Sequence, residues 1–418
     1  MSLLEQLSLP QVWERFYQYK ISQADGLFQE KRLRAFIDGQ RYLPVVRAME
    51  EGKTFPLPRR AVISKMSTEK KRVVYIYPEP ENTVLKLLTW LLLRRYDGLF
   101  SEALFSFRPR RTAKDAVRRF LHSPGLFSMW AYKADIHDYF KSIPVSRFLP
   151  VLSAALADDP KLFTFLSSLL AEPRVLENGS PVFEQKGIMA GTPQASFYAN
   201  LYLKEIDERF CAGTVPYARY SDDIILFAPT RQEAEEHASR LRQLLCEKGL
   251  AMNPAKECLY APDGGWVFLG FYCRGNTVDI APSTVKKIKG KMRRKARALK
   301  RWADRKGKPG EAAAIAFIRA FNRKLLDGGG AENELTWSLW FFPVISTDAS
   351  LRVIDRYCQD CIRFLISGRH TKGRYNVRYE QLKQLGYRSL VHEYYRFREG
   401  RAVTKKTAGG KEPEQDDR

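Results

Sequence analysis

Three aspartates stand where apolar strands are broken, and they are the residues best placed to do chemistry. Asp135 ends the run Met129-Trp-Ala-Tyr-Lys-Ala134 and is followed by Ile-His-Asp-Tyr-Phe140. Asp222-Asp223 separates Val215-Pro-Tyr-Ala-Arg-Tyr220 from Ile224-Ile-Leu-Phe-Ala228. Carboxylates gathered at strand ends repel one another and lose hydration, so their ionised forms need a compensating cation. Donors that are all oxygen suit Mg²⁺, which keeps waters and takes further ligands from substrate phosphates. Three such carboxylates can hold two ions about 3.5–4 Å apart, the arrangement that stabilises both oxygens of an in-line phosphoryl transfer. Two other Asp-Asp pairs compete for attention. Asp158-Asp159 precedes Pro160 and reads as a solvated loop, and Asp416-Asp417 lies in a polar C-terminal stretch.

The elements that must carry these acids follow from the hydrophobic pattern. Residues 215–228 read as a strand, a tight acidic turn and a returning strand. Residues 128–280 alternate short strands with helices, and 187–203 (Gly-Ile-Met-Ala-Gly-Thr-Pro-Gln-Ala-Ser-Phe-Tyr-Ala-Asn-Leu-Tyr-Leu) form a glycine-containing loop feeding a helix that runs to about Phe210. In that loop Gly191 lets the backbone approach a ligand closely. Residues 1–55 read as helices. A hairpin with a cationic tip covers Arg59–Pro78, and helices follow at 82–97 and 112–121. After Pro282 the chain is helical and basic: from Lys286 to Lys308, thirteen of 23 residues are Lys or Arg. Val285, Ile288, Met292, Ala296, Leu299 and Ala303 recur there at helical spacing, so one face packs while the rest stays cationic. Further helices are expected at about 311–326 and 348–366. The last 18 residues read as a disordered tail.

Composition narrows the function classes. A chain of 418 residues, 44% hydrophobic and 12% aromatic, can bury a large core and is neither a disulfide miniprotein nor wholly disordered. Seventy Lys and Arg against 47 Asp and Glu leave a net charge of +23, which points to a polyanionic partner, nucleic acid before an anionic membrane. Val84–Leu93 is interrupted by Lys86 and ends at Arg94-Arg95, too short to span a bilayer. With no basic-then-apolar leader at Met1, the expectation is a cytoplasmic protein without a membrane partner. The six cysteines do not form a disulfide framework. Cys358 and Cys361 make one C-x-x-C inside a helical pattern, with no second pair to complete a zinc site.

Taken in order, these segments resemble the palm of a prokaryotic reverse transcriptase. Lys133-Ala-Asp-Ile-His-Asp-Tyr-Phe-Lys-Ser-Ile143 is similar to motif A, residues 187–203 to motif B and Tyr220-Ser-Asp-Asp223 to the Tyr-x-Asp-Asp box of motif C. Gly249-Leu-Ala-Met-Asn-Pro-Ala-Lys256 resembles motif D, Phe268-Leu-Gly-Phe271 the primer grip of motif E, and Ser106-Phe-Arg-Pro-Arg-Arg-Thr-Ala-Lys-Asp-Ala116 the fingers segment of bacterial and group II intron enzymes. The motif B pattern departs at Ala195, where a second Ser is usual and Ser196 comes one residue later. The variable motif C position is Ser221.

The resemblance implies an α+β right hand, with fingers and palm followed by an α-helical thumb. Residues 1–120 would be N-terminal helices and fingers, and 121–275 the palm with a fingers-side insertion at about 145–185. Residues 276–400 would be the basic thumb and an RNA-contacting segment, and 401–418 the tail. It implies that Asp135, Asp222 and Asp223 bind two Mg²⁺ ions, with Mn²⁺ as a possible substitute, and that Lys256 protonates the leaving pyrophosphate. Lys65 and Arg72 at the hairpin, Phe140 as a steric gate against the 2′-hydroxyl, and Gly191 would contact the incoming dNTP. Lys71 is a second candidate for the hairpin lysine. Lys286, Lys289, Arg293, Arg294 and Arg297 would lie along template and primer, and such contacts are salt-dependent. Arg374-Tyr-Asn-Val-Arg-Tyr379 and the tyrosines after it suit either base stacking or a packing seam.

The expected function is RNA-directed DNA synthesis on an RNA template, a dedicated structured non-coding RNA, giving a DNA product. The chain has no nuclease cluster, no maturase extension and no Val-Thr-Gly of the retron thumb. It therefore resembles the stand-alone enzymes of the unknown-group and abortive-infection kinds, many of which serve antiphage defence. The alternatives are a maturase-like RNA-binding protein that does not depend on polymerisation, and a non-templated or protein-primed DNA polymerase.

Overall fold

The computed structural model describes the chain except residues 24–26, 65–70, 124, 186, 214, 328–336 and 409–418. Those residues include Lys65, so that expectation lies outside the described residues, as does Asp416-Asp417. The chain divides into two units, Met1–Leu269 and Gly270–Arg418, and the division falls inside the Phe268–Phe271 motif.

In the first unit four helices lead: α1 (Leu3–Gln6), α2 (Pro10–Gln23), α3 (Leu27–Asp38) and α4 (Leu43–Glu50). Then come β1 (Arg59–Ser64), β2 (Lys71–Ile76), α5 (Glu81–Arg95), α6 (Ala113–Leu121), β3 (Trp130–Asp135), α7 (Tyr139–Ser142), α8 (Val145–Ala155) and α9 (Pro160–Ala171). The unit continues with β4 (Arg174–Glu177), β5 (Ser180–Phe183), α10 (Ala195–Tyr202), α11 (Lys204–Ala212), β6 (Tyr217–Tyr220), β7 (Asp223–Ala228), α12 (Arg231–Glu247), β8 (Cys258–Tyr260) and β9 (Trp266–Phe268). The expected motif B helix to Phe210 is in fact two helices, interrupted at Leu203.

The central sheet runs β6-β7-β3-β8 and its described pairings are antiparallel. Ile224 to Ala228 of β7 are buried without alternation, as expected of a strand covered on both faces. Helices α6 and α11 pack on β6, and α12 packs on β3 and β7. A second sheet runs β2-β1-β4-β5. There the 145–185 segment joins the hairpin, because β4 pairs with β1 in parallel, Arg59 opposite Leu176.

Of the pair Asp158-Asp159, Asp158 is exposed as expected, but Asp159 is not solvated surface. Asp159 is buried: its carboxylate caps α9 through the Leu162 amide (3.2 Å) and accepts from Ser2 Oγ (2.7 Å) and the Leu3 amide (2.8 Å). Asp158 accepts from Arg95 Nη2 (2.6 Å) and the Tyr96 hydroxyl (2.9 Å). Asp at the N-cap with Pro160 at the first helical position is a helix-start signal rather than a loop.

The second unit opens with the hairpin β10 (Phe271–Arg274) and β11 (Thr277–Ile280) and is helical thereafter: α13 (Pro282–Arg305), α14 (Gly310–Asn322), α15 (Trp337–Phe341), α16 (Ala349–Ser367), α17 (Tyr379–Gln384) and α18 (Leu390–Ala408). Helices α13, α14 and α16 pack pairwise. Ile288, Met292, Ala296 and Ala303 form the buried face of α13, as their spacing requires. The helix α18 continues to Ala408, so backbone helix replaces part of the expected tail. The aromatic C-terminal segment divides: Tyr387 and Tyr394 are core residues, while Tyr375 and Tyr395 are exposed.

Cys358 and Cys361 are buried in α16. Burial, with Cys361 and Asp355 beside it, holds the Cys358 thiol well above the usual range, and burial with Asp360 pushes Cys361 up to about 12. Iodoacetamide on the native protein at neutral pH should therefore modify the exposed Cys246 and Cys258 and spare Cys273, Cys358 and Cys361. Peptide mass spectrometry reads this directly, and equal labelling of Cys358 would contradict it.

Candidate active site

Antiparallel pairing of β3 with β7 sets Asp135 directly opposite Asp223. Asp222 occupies the turn before β7, and its carbonyl accepts from the Ile136 amide at 3.1 Å. The three acids predicted from separate sequence segments thus share one end of the sheet. Two ammonium groups reach them. Lys256 Nζ lies 2.7 Å from both oxygens of Asp135, and Lys133 Nζ lies 3.2 Å from Asp223 Oδ1. Lys256 stands on a short turn, Pro254–Lys256, fixed to β3 by the Asn253 amide donating to the Asp135 carbonyl at 2.7 Å.

Electrostatics match a cluster of like charges. Burial, then Asp223 and Asp135, raise the pKa of Asp222. Burial opposes the charge of Lys256, but the bond to Asp135 and the charges of Asp222 and Asp223 outweigh it and raise its pKa. Among the described residues no group of three or more His, Cys, Asp or Glu side chains is arranged to hold a metal ion. The donors are nonetheless all carboxylate oxygens, the type that suits hard divalent ions, and an ion would share Asp135 and Asp223 with the lysines now paired to them. Ions completing their shells with water and substrate phosphate would fit an open set of this kind.

Motif B is seated by close backbone contacts. Gly187, at φ +54°, lies so near motif A that a β-carbon there would be 2.4 Å from the Phe140 carbonyl oxygen, and the Ile188 amide donates to that oxygen at 3.0 Å. Gly191, at φ +100°, does permit a close approach, but to the protein itself: its β-carbon would be 2.9 Å from Val74 Cβ, and Ala190 accepts from the Tyr75 amide at 2.8 Å. Phe140 is half-buried, and the exposed Arg72 of β2 places its guanidinium carbon 5.9 Å from the ring centre. Ala195 is buried, and Ser196 Oγ donates to the Pro193 carbonyl within its own turn.

In the second unit, Lys286, Arg293, Arg294 and Arg297 are exposed on α13, and Lys289 lies 4.9 Å over the Tyr357 ring.

The motifs did not disclose what lies beneath the acidic turn. Arg219 and Asp207 form a fully buried ion pair there (2.6 Å), tied also to Asn200, and Ser106 bonds to the turn itself. A charged residue in the fully buried strand Tyr217-Ala-Arg was the available signal. Gln194 is buried with no partner for either amide atom among the described residues.

The family model for reverse transcriptase (RNA-dependent DNA polymerase) matches residues 63–273, half of the chain. The chain belongs to the reverse transcriptase family. All three aspartates, both glycine contacts and Lys256 lie within the matched residues of this reverse transcriptase. Over 236 residues it is 22% identical to the retron Ec86 reverse transcriptase of Escherichia coli, covering 55% of this chain and 67% of that one. Among solved structures it is similar to apo telomerase of Candida tropicalis (TM-score 0.45, 11% identity, 79% of this chain and 68% of that one). A form of the same telomerase truncated from the C-terminal domain gives a TM-score of 0.44 at 11% identity, covering 54% of this chain and about half, 55%, of that one. Among the described residues no helix is long and apolar enough to cross a membrane.

Proposed function

We propose that this reverse transcriptase copies a dedicated, structured non-coding RNA into DNA, and that it does so in bacterial antiphage defence. The observation that carries the catalytic reading is the convergence of Asp135, Asp222 and Asp223 at one sheet end, with Lys133 and Lys256 on two of them. When bound there, two Mg²⁺ ions would lower the pKa of the primer 3′-hydroxyl and stabilise the departing pyrophosphate. Lys256, exchanging Asp135 for the phosphate oxygens, supplies their proton. Arg72 donates charge-assisted hydrogen bonds to the triphosphate. The basic face of α13 follows the phosphates of template and primer. The defence role and the choice of RNA rest on the likeness of the motifs to stand-alone bacterial enzymes and on the similarity to the retron enzyme.

Phe140 fills the space beneath the incoming sugar and rejects a 2′-hydroxyl by contact. Phe140→Ala should therefore raise ribonucleotide incorporation relative to deoxynucleotide by about 10-fold or more, the range for removing steric exclusion at a substrate pocket. Competing incorporation of ATP and dATP on one primer measures this, and unchanged selectivity would remove the gate from Phe140.

The function itself is tested by purifying the protein with its co-expressed native RNA, sequencing that RNA, and adding labelled dNTPs with Mg²⁺. DNA complementary to the bound RNA is the expected product. RNA held tightly with no DNA made, even with a supplied primer, would favour the maturase-like alternative. DNA made without reference to the RNA sequence would favour the non-templated one.

A further inference from the structure

We propose that the buried Asp207–Arg219 pair positions the acidic turn and thereby sets its affinity for divalent ions. This rests on the reading of Asp222 and Asp223 as metal ligands. Both side chains are fully buried. Arg219 grips Asp207 as a fork, Nε to Oδ1 at 2.8 Å and Nη2 to Oδ2 at 2.6 Å, and Tyr217 adds its hydroxyl to Oδ1 at 2.8 Å. The same guanidinium has donors left for two backbone carbonyls: Asn200 in α10 at 3.1 Å and Ser221 in the turn at 3.2 Å.

Ser221 explains why such a grip is needed. It is a non-glycine residue at φ +60° immediately before Asp222, a left-handed conformation that side chains resist. The turn must also carry two adjacent carboxylates facing a third. Ser221 is held at both ends. Its carbonyl accepts from Arg219, and its amide donates to Ser106 Oγ at 2.9 Å. Ser106 in turn donates to Asn200 Oδ1 at 3.0 Å, while Asn200 Nδ2 donates to the Ser106 carbonyl at 2.8 Å. Two further bonds frame Arg219 itself: its amide donates to Ala103 at 2.9 Å, and its carbonyl accepts from Phe105 at 3.0 Å.

The fingers-side segment, the motif B helix and α11 therefore converge on one turn residue. A buried ion pair is a poor source of stability compared with apolar packing, because both charges lose hydration. What it offers here is geometry. A planar guanidinium can hold a carboxylate and two carbonyls at fixed angles, whereas a lysine ammonium cannot reproduce the fork. Arg219 and Asp207 are positioning residues that act on the metal-binding carboxylates through Ser221.

Arg219→Lys keeps the charge and loses the fork, and Ser106→Ala removes one neutral hydroxyl from the other end of the turn. Each should weaken Mn²⁺ binding to the protein without nucleic acid, read by electron paramagnetic resonance, by about 10-fold, the size expected when a residue orienting a metal ligand is changed. The Mg²⁺ concentration for half-maximal synthesis should rise in parallel, while the dNTP KM at saturating Mg²⁺ stays unchanged. Should Arg219→Lys fail to fold, Ser106→Ala, which strands no buried charge, decides alone. Wild-type Mn²⁺ affinity in Ser106→Ala and in folded Arg219→Lys would overturn this proposal. Wild-type Mn²⁺ affinity in Asp222→Asn with Asp223→Asn would instead overturn the metal reading beneath it, and this proposal with it.

Discussion

Replacing Asp222 and Asp223 together by alanine should lower DNA synthesis by about 10³-fold or more, with RNA binding retained. The size follows from the several kcal/mol that metal-held charge stabilisation contributes to a phosphoryl transfer, at about 1.4 kcal/mol for each factor of ten. The retention follows from charge. Affinity for a nucleic acid backbone comes from Lys and Arg, and the substitution removes two negative charges from a chain already at +23. The fold should also survive. Removing the pair relieves the burial of charge and the repulsion that together raise the pKa of Asp222, leaves Arg219 its partner Asp207, and keeps the backbone bond between Asp222 and Ile136. Primer extension and filter binding on one preparation separate the two effects. Synthesis within about tenfold of wild type would remove both residues from catalysis, and loss of RNA binding in parallel would point to a collapsed structure.

The second large effect concerns stability in the C-terminal unit. Asp355 of α16 is buried, and its carboxylate accepts from the Tyr387 hydroxyl at 2.8 Å, Ser389 Oγ at 2.6 Å, and the Leu390 and Val391 amides at 2.9 and 3.1 Å. The last two amides are at the start of α18, where no intrahelical acceptor exists. Asp355 thus serves as a helix cap supplied from another helix, and it also satisfies a buried phenol. Burial, with Cys358 and Asp355 beside it, keeps the Tyr387 pKa far above its ordinary value, so the phenol remains a donor. Asp355→Ala strands these donors and should destabilise the unit by about 3–5 kcal/mol, given about 1–3 kcal/mol for each buried group left unpaired. Asp355→Asn, which keeps an acceptor oxygen, should cost less. Urea unfolding followed by tryptophan fluorescence measures both, and a loss below about 1 kcal/mol for alanine would show that water takes over the bonds.

Much of the candidate site was legible because its acidic residues break local rules. An Asp that ends an apolar strand, or an Asp pair between two such strands, stands out against period-two patterning; the helical C-terminal region followed from helical spacing, and the α+β class from the resemblance of the motifs. The supporting residues obey local rules and therefore hide. Asp207 reads as one more acid in a helical stretch, Ser106 and Asn200 stand inside the fingers and motif B segments without a role of their own, and only their meeting around Arg219 gives them one. Gly191 was recognised as a site of close approach, but its neighbours Val74 and Tyr75 lie over a hundred residues away in sequence. Asp159 was misread for a different reason. Its cap signal was local and present, yet the pair Asp158-Asp159 before a proline looks like a loop unless the following apolar spacing is weighed with it. Tyr387 and Tyr394 share composition with exposed neighbours, so burial alone tells seam from surface.

The hairpin sheet ends on β5, and an open strand edge is a template on which a second copy can polymerise. Here that edge is only four residues long, and Pro181 within it has no amide hydrogen to donate. Phe183, exposed at the end of the strand, adds apolar surface but little backbone to pair with. Concentrated samples of the protein should therefore resist growth into sheet-like aggregates from this edge without any partner covering it.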